Sequence, residues 1–407
     1  MHIELIIIGN EIISGDTPDA NGPWLSQYLE TWNAKLDQIS IIPDQPGVIL
    51  NTLSQSINRS NLIIISGGLG PTDDDITKKT LAGFFHKDLK INPVAQELVK
   101  SHYVRLKRQW VPEHNFYHMI PEGFEPLSNN IGLAPGLFFQ TATYSIIVAP
   151  GVPLEFQSII KETIPLKNLI DAQPPLYQLQ IRTKNITEEM IFNEVGIELL
   201  KKIRPFTEIC SYPRSFGGVD LVIKSQQDIQ TLKEDFLNSP LKQYIWQIGN
   251  LSLPELIIQM STSKKIKLGL AESCTGGLIS SLLTDVSGSS ACYMGSIVAY
   301  SYEIKMDLLG VKQATLDSYG AVSKETAWEM AKGAFEKLKV DIAIGTTGIA
   351  GPMGGTKEKP VGTIGIGLFS KNYSHSDLLV FRGNRIELKK RFSQAALHKL
   401  LEVIKTS

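Results

Sequence analysis

The chain has 407 residues, enough for two or three domains at a typical ~150 residues each. Its 40 Lys and Arg balance 41 Asp and Glu; a net charge of −1 argues against a surface that grips a phosphate backbone, and 43% hydrophobic content excludes wholesale disorder. Three scattered cysteines, Cys210, Cys274 and Cys292, exclude a disulfide scaffold or zinc knuckle and point to a reducing, cytoplasmic setting.

The opening run MHIELIIIGNEII has no basic flank and reads as a first buried strand, not as a signal peptide. No apolar run reaches the ~18 residues that a membrane span needs, so no membrane partner is expected. Residues 5–8 are continuously apolar, which predicts a strand covered on both faces. Residues 19–32 read as a helix, with Trp24, Leu25, Tyr28 and Leu29 on one face, and 49–57 as a second helix. The strand at 61–66 (NLIIIS) runs into Gly67-Gly68-Leu69-Gly70-Pro71, and a helix is expected from about Thr72. A later strand at 144–149 ends at PGVP (150–153). Alternating strands and helices predict an α/β domain over 1–168, with a largely parallel sheet whose carboxyl ends bind ligands.

A linker at 168–175 (NLIDAQPP) leads into a segment of different character. Strands at 176–182, 208–212, 218–224 and 244–248 and helices at 187–203 and 229–237 give the order βαββαβ, a small α+β domain over 169–250. It has no G-x-x-G loop to clamp nucleic acid, and Lys201, Lys202 and Arg204 read as a helix end complementing its own dipole. The last domain, 251–407, opens with the capping box Ser252-Leu253-Pro254-Glu255. Strands at 267–271, 297–300, 341–345 and 362–368 alternate with helices from about Thr275, at 324–338 and at 385–404, which is α/β again.

Chemistry concentrates in this last domain. In LAESCTGG (270–277) a strand ends at Ala271, and small hydroxyl and glycine residues open a helix. Unpaired N–H groups of a first helical turn suit an anion or a developing oxyanion, and Ser273 would be held in front of them. The plainer reading makes Ser273 or Thr275 an N-cap. Thr346-Thr347-Gly348-Ile349-Ala350-Gly351-Pro352 follows a strand, and suits either a loop that cradles phosphate or ribose or a wide surface turn. Lys305 follows the strand end at Tyr300, where it either faces a pocket or is a solvated charge. Cys274 has no nearby His to activate a thiol and reads as a small core residue.

In the first domain, Asp73, Asp74 and Asp75 follow a glycine-rich loop. Acidic residues in a first helical turn stabilise it by roughly 0.3–1 kcal/mol each. The alternative is a divalent metal such as magnesium, held by these carboxylates to assist pyrophosphate cleavage. His114 and His118 stand four apart but lack the Glu-x-x-His spacing of a zinc site.

On these motifs, residues ~252–407 closely resemble the C-terminal domain of the CinA family, the nicotinamide mononucleotide deamidase domain. The matching runs are AESCTGG (271–277), GSS (288–290), VAYSYEIK (298–305), GAVS (320–323), TGIAGP (347–352) and KPVGT (359–363). Residues 1–250 are similar to the rest of full-length CinA proteins, a molybdopterin-binding-like domain and a small KH-like domain, through GGLGPTDDDIT (67–77), GLAPG (132–136) and PGVP (150–153).

The resemblance implies hydrolysis of nicotinamide mononucleotide to nicotinic acid mononucleotide and ammonia, without a cofactor. It gives Ser273 the nucleophile position and Lys305 the general base, with Tyr300 and Thr347 orienting them. Cys274, Thr275, Gly276, Gly277, Thr347 and Gly348 line the substrate, and Arg385 resembles the family's substrate-binding arginine, a guanidinium suited to a phosphate. Helix-start N–H groups near Cys274 to Gly276 are expected to hold the oxyanion. The family resemblance also implies a homodimer and, as an alternative activity, a metal-dependent ADP-ribose pyrophosphatase in the N-terminal domain. A competence-related scaffold is the non-enzymatic alternative. The sequence departs from the family at Tyr302, where Asn is more usual, at Asn10, where Thr or Asp is usual, and over Gly15-Asp16-Thr17.

Overall fold

A computed structural model describes residues 1–170, 176–214 and 217–407, so most of the expected linker at 168–175 lies outside the described residues. The chain forms two compact units, Met1–Leu176 and Tyr177–Ser407.

The first unit is built on a six-stranded sheet in the spatial order Gln38–Ile42, Ile3–Ile8, Leu62–Ser66, Ser145–Ala149, Gly136–Gln140, Glu125–Leu127. The first four strands run parallel and the last two pair antiparallel at one edge. Every residue of Ile3–Ile8, Leu62–Ser66 and Ser145–Ala149 is buried, because helices cover both faces. Ile6, Ile8, Ile63 and Ile65 pack into one core layer, and Leu5, Ile7, Leu62 and Ile64 into the other. The alternation of successive side chains along a strand requires this division. The helix expected from Thr72 begins later, at Thr77–Phe84. The Asp75 carboxylate accepts the N–H groups of Gly70 (2.7 Å) and Thr72 (2.9 Å), closing a turn where the helix would have started.

The second unit contains two sheets. Strands Glu208–Pro213, Val219–Ser225, Tyr177–Thr183 and Ile245–Ile248 lie side by side in that order, all antiparallel, and with the intervening helices follow the expected βαββαβ sequence. The helix read over 187–203 is interrupted by a π-turn stretch at Ile191–Val195, ahead of Gly196. The other sheet runs Tyr293–Val298, Leu268–Glu272, Ile342–Gly348, Thr363–Ser370, Ser374–Val380, with the first three parallel and the rest antiparallel. The neighbouring central strands Leu268–Glu272 and Ile342–Gly348 therefore bring AESCTGG and TTGIAGP to the same edge. Helix Lys324–Leu338 packs on one face of this sheet, while Leu253–Ser263 and Arg385–Thr406 pack against each other on a shared core. Both of the latter start with a complete capping box, Ser252 with Glu255 and Asn384 with Glu387. Among the described residues no helix is long and apolar enough to cross a membrane.

One close approach in this packing has a measurable sign. Gly333 lies inside helix Lys324–Leu338, and a Cβ built on it would sit 1.9 Å from the Leu309 carbonyl oxygen. Gly to Ala within a helix normally stabilises by about 0.5–1 kcal/mol. Here the backbone clash reverses the sign, and Gly333→Ala should destabilise by about 1–3 kcal/mol, read as a lower urea midpoint. An unchanged or raised midpoint would refute the close packing of that helix.

Candidate active site

Ser273 is the first residue after strand Leu268–Glu272, only 7% exposed, and its N–H donates to the Thr346 carbonyl at 3.0 Å. The helix expected from Thr275 starts at Leu278, so residues 273–277 form a turn between strand and helix. The cause lies one residue earlier. Glu272 is fully buried, and its carboxylate accepts the N–H groups of Gly277 (2.9 Å), Ile279 (3.2 Å) and Ser280 (2.9 Å). A carboxylate at this end of a helix meets both unpaired donors and the positive end of the dipole. The donors of the first helical turn are thus committed to Glu272, which moves the oxyanion expectation back onto the turn itself. Sequence reasoning missed this glutamate, because in the linear motif it reads as the end of a strand.

Lys305 lies on helix Tyr302–Leu309, which Ser301 caps through the Ile304 N–H (3.3 Å). The side chain is 1% exposed, which excludes the solvated-charge reading. Its Nζ stands 3.0 Å from Ser273 Oγ, 2.8 Å from the Ala299 carbonyl oxygen and 2.9 Å from that of Tyr300. Burial lowers this amine from the usual lysine value to about 8. A neutral amine has two N–H donors and one lone pair. The two carbonyls can only accept and so take both donors, which leaves the lone pair for the Ser273 hydroxyl proton. This is the arrangement that a serine nucleophile and its base require.

The rest of the motif surrounds that pair. Thr275 and Thr346, both buried, touch through their hydroxyls at 3.0 Å, and the Thr347 hydroxyl donates to the Ala321 carbonyl at 2.7 Å. Gly348 must lack a side chain, since a Cβ there would come within 2.7 Å of the Thr363 carbonyl oxygen and 3.1 Å of Cys274 Sγ. Cys274 is buried, and burial pushes its thiol up to about 12, so it is a packing residue and no rival nucleophile. Gly276 and Gly277 both have positive φ, 61° and 88°, as the turn requires.

Tyr300 is 66% exposed, with its carbonyl turned to Lys305 and its hydroxyl accepting from Arg385 Nη2 at 3.4 Å. Arg385 also donates from Nη1 to the Gly351 carbonyl at 2.7 Å, which brings the TGIAGP loop to the same place. Lys389, one helical turn beyond Arg385, reaches the turn that follows Ser273, its Nζ lying 3.4 Å from the position of a Cβ on Gly276. Its i, i+4 spacing from Arg385 was the signal that could have found it. Tyr302 is exposed at the start of its helix.

The N-terminal unit has its own cleft, about 590 Å³, at the carboxyl ends of Ile3–Ile8 and Leu62–Ser66. It is lined by the Gly67–Gly70 loop together with Glu11, Asp44, Asp74 and Glu155. The three consecutive aspartates do not act as one set there. Asp75 lines the cleft but is tied to Gly70 and Thr72, Asp74 faces the cleft, and Asp73 is exposed and outside its lining. Among the described residues, no three His, Cys, Asp or Glu side chains converge as a metal-holding group, so the Asp73–Asp75 run does not fit a preassembled divalent site. The carboxylate singled out by its surroundings is Asp44, raised above its usual range by burial and then by the charges of Glu11 and Asp74. Asn10 holds it in place through a backbone N–H at 2.9 Å. His118 is buried edge-on against Trp110 at 5.2 Å, while the side chain of His114 lies outside the described residues.

Comparison with known proteins places both units. Residues 4–168 match the probable molybdopterin binding domain family, and residues 250–404 match the CinA C-terminal domain family. A CinA-like protein of Chloroherpeton thalassium is 34% identical over 421 residues, covering 100% of both chains. A putative competence-damage inducible protein of Caldicellulosiruptor saccharolyticus is 34% identical over 412 residues, covering 99% of each. A crystal structure of a competence-damaged protein (CinA) superfamily protein from Escherichia coli shares 31% identity, covers 39% of this chain and 95% of that one, and has a TM-score of 0.36. Matched along its whole length by such relatives and carrying both domain types in order, the chain belongs to the CinA family.

Proposed function

We propose that the C-terminal domain is a pyridine-nucleotide amidohydrolase that converts nicotinamide mononucleotide and water to nicotinic acid mononucleotide and ammonia. The observation that carries this reading is the buried Lys305 amine, 3.0 Å from Ser273 Oγ with its other two partners both carbonyls. Neutral Lys305 takes the hydroxyl proton as Ser273 Oγ bonds to the carboxamide carbon. The oxyanion forms against the backbone N–H groups of Cys274 and Thr275, since that of Gly276 donates to the Ser273 carbonyl at 3.1 Å and the helix-start donors are held by Glu272 and the Thr275 carbonyl. Lys305 returns the proton to the departing nitrogen, which leaves as ammonia. Water then attacks the acyl ester, giving its proton to Lys305 and through it to the leaving Ser273 oxygen. The nucleotide phosphate lies between Arg385 and Lys389, cations one helical turn apart on the side of the nucleophile.

Three outcomes follow for the full chain. Ammonia release from nicotinamide mononucleotide should persist in EDTA, fall about 10²–10⁴-fold in Lys305→Met, and vanish in Ser273→Ala. Turnover surviving in Ser273→Ala would sink the mechanism. The rate should also climb with pH towards a plateau above about 8, because only the neutral amine is a base and protonation below that value removes it. A flat profile between pH 6 and 8 would contradict Lys305 as the base. Finally, Arg385→Met and Lys389→Met should each raise KM for the mononucleotide about tenfold or more, and leave KM for the nicotinamide riboside nearly unchanged. Equal effects on both substrates would move the phosphate elsewhere.

A second reading rests on the 590 Å³ N-terminal cleft, which is large enough for a nucleotide and has the Gly67–Gly70 backbone at its mouth. In this reading the unit cleaves the pyrophosphate of ADP-ribose, with Asp44, Glu11 and Asp74, not Asp73 or Asp75, as the carboxylates at work. Loss of that activity in Asp44→Ala, with ammonia release intact, separates the two sites. The competence-related names of relatives suggest a DNA-linked scaffold, a role that a net charge of −1 opposes.

A further inference from the structure

Within the Tyr177–Ser407 unit a cleft of about 320 Å³ opens where the end of strand Tyr177–Thr183 meets helix Arg385–Thr406. One wall is a stripe of that helix, Arg391, Ala395, His398 and Glu402, spaced by four, three and four residues and hence on one face. Facing it are Lys184 and the apolar segment ending at Phe381.

Two nitrogens in this cleft are buried without a hydrogen-bonding partner among the described residues, Arg391 Nε and His398 Nδ1. Buried polar atoms are normally paired; Arg391 Nε can only donate and His398 Nδ1 donates in one tautomer of the neutral ring, so one acceptor placed between these side chains would satisfy both. The charges agree in sign. Lys184, Arg391 and Lys399 line the cleft; Lys184 pairs with Glu402 and Lys399 with Asp377, which leaves the Arg391 guanidinium as the cation with no ion pair among the described residues. Trp246 packs edge-on against the His398 ring at 5.4 Å and fixes its plane. The volume is at the small end of ligand pockets, and the walls combine cationic nitrogens with the apolar faces of Phe381 and Ala395. None of the lining residues belongs to the Ser273 site.

We propose that this cleft is a second anion site, taking a small organic phosphate monoester whose oxygens accept from Arg391 and His398 and whose body rests on Phe381 and Ala395. A phosphate suits the donor set, since its three terminal oxygens can be shared among a guanidinium, an imidazole N–H and a neighbouring ammonium. This reading is independent of the reaction assigned to Ser273.

The test is calorimetric titration of the full chain with ribose 5-phosphate, carried out in an Arg385→Met/Lys389→Met background. That background removes the phosphate contacts of the Ser273 site. Saturable binding should remain there, and should weaken at least about tenfold, equivalent to roughly 1.4 kcal/mol, when Arg391→Met is added. Ala395→Glu keeps the guanidinium but puts a carboxylate into the cavity, and should weaken binding as much. It decides the matter if the Arg391 variant fails to fold. No saturable binding in the double variant, or binding unchanged in either cleft variant that folds, overturns the proposal.

Discussion

A lysine amine taken out of water is the constraint around which the C-terminal domain is arranged. Removing an ammonium from solvent costs several kcal/mol, and the cost falls when the group sheds its proton or finds acceptors for all its donors. Lys305 has both routes open. As an ammonium it can donate to Ser273 Oγ and to the carbonyls of Ala299 and Tyr300; as an amine it keeps the two carbonyls and accepts from the serine. The two states share one geometry, so a proton can move between Ser273 and Lys305 without a rotamer change. The carbonyls come from the segment between strand Tyr293–Val298 and helix Tyr302–Leu309, and Ser301 fixes where that helix begins.

Ser273 is held by a separate device. Glu272 ends a central strand and, from inside the protein, accepts three N–H groups of the helix that follows the turn. Strand, turn and helix are thereby locked at one carboxylate, and Ser273 has no freedom to follow the helix. The adjacent parallel strand contributes the Thr346 carbonyl that receives the Ser273 N–H, with the Thr346 and Thr275 hydroxyls in contact below it. Gly348 then lets this second strand end pass against the Cys274 sulfur. The motif residues that surround the serine are therefore largely structural, and the reacting groups are few.

Much of this was legible in the linear sequence, and the parts that were not share a cause. Strand order along the chain, the βαββαβ segment and the Ser252–Glu255 capping box can be read because they depend on local periodicity and on contacts a few residues apart. Ser273 stood out at a strand end in a small-residue motif, whereas Lys305 read equally as a solvated charge and was singled out through the family resemblance. Helix starts were read too early at Thr72 and Thr275 for one reason: an acidic side chain, Asp75 or Glu272, takes backbone N–H groups and shapes the turn beside the helix start. A carboxylate in a polar run looks the same whether it reaches solvent, a metal or its own backbone. That ambiguity also made Asp73, Asp74 and Asp75 read as a set, when the cleft is lined by Asp74 and Asp75 together with Asp44, some thirty residues earlier in the chain. Glu272 and Lys389 were missed because their partners are defined by turns and helix faces that the sequence alone does not position.

The C-terminal helix shows how one regular element can serve two places. At roughly 100° per residue, Arg385 and Lys389 fall within about 40° of each other, while Arg391, Ala395, His398 and Glu402 cluster on the far side of the same helix. Leu388 and Phe392 lie between those arcs, and Ala396 and Leu400 follow on the Arg385–Lys389 side further along the helix, all four buried in the core. The apolar band anchors the helix against the strands that carry Ser273, so its rotation is fixed by packing and not by either polar face. The capping box of Asn384 and Glu387 fixes the other coordinate, where the helix begins, and hence where Arg385 meets Tyr300 and Gly351. A shift of a single residue in that start would turn every side chain by roughly 100° and separate the guanidinium from both partners. The placement of Arg385 beside Tyr300 and Gly351 is thus decided by a cap and a core on the helix itself.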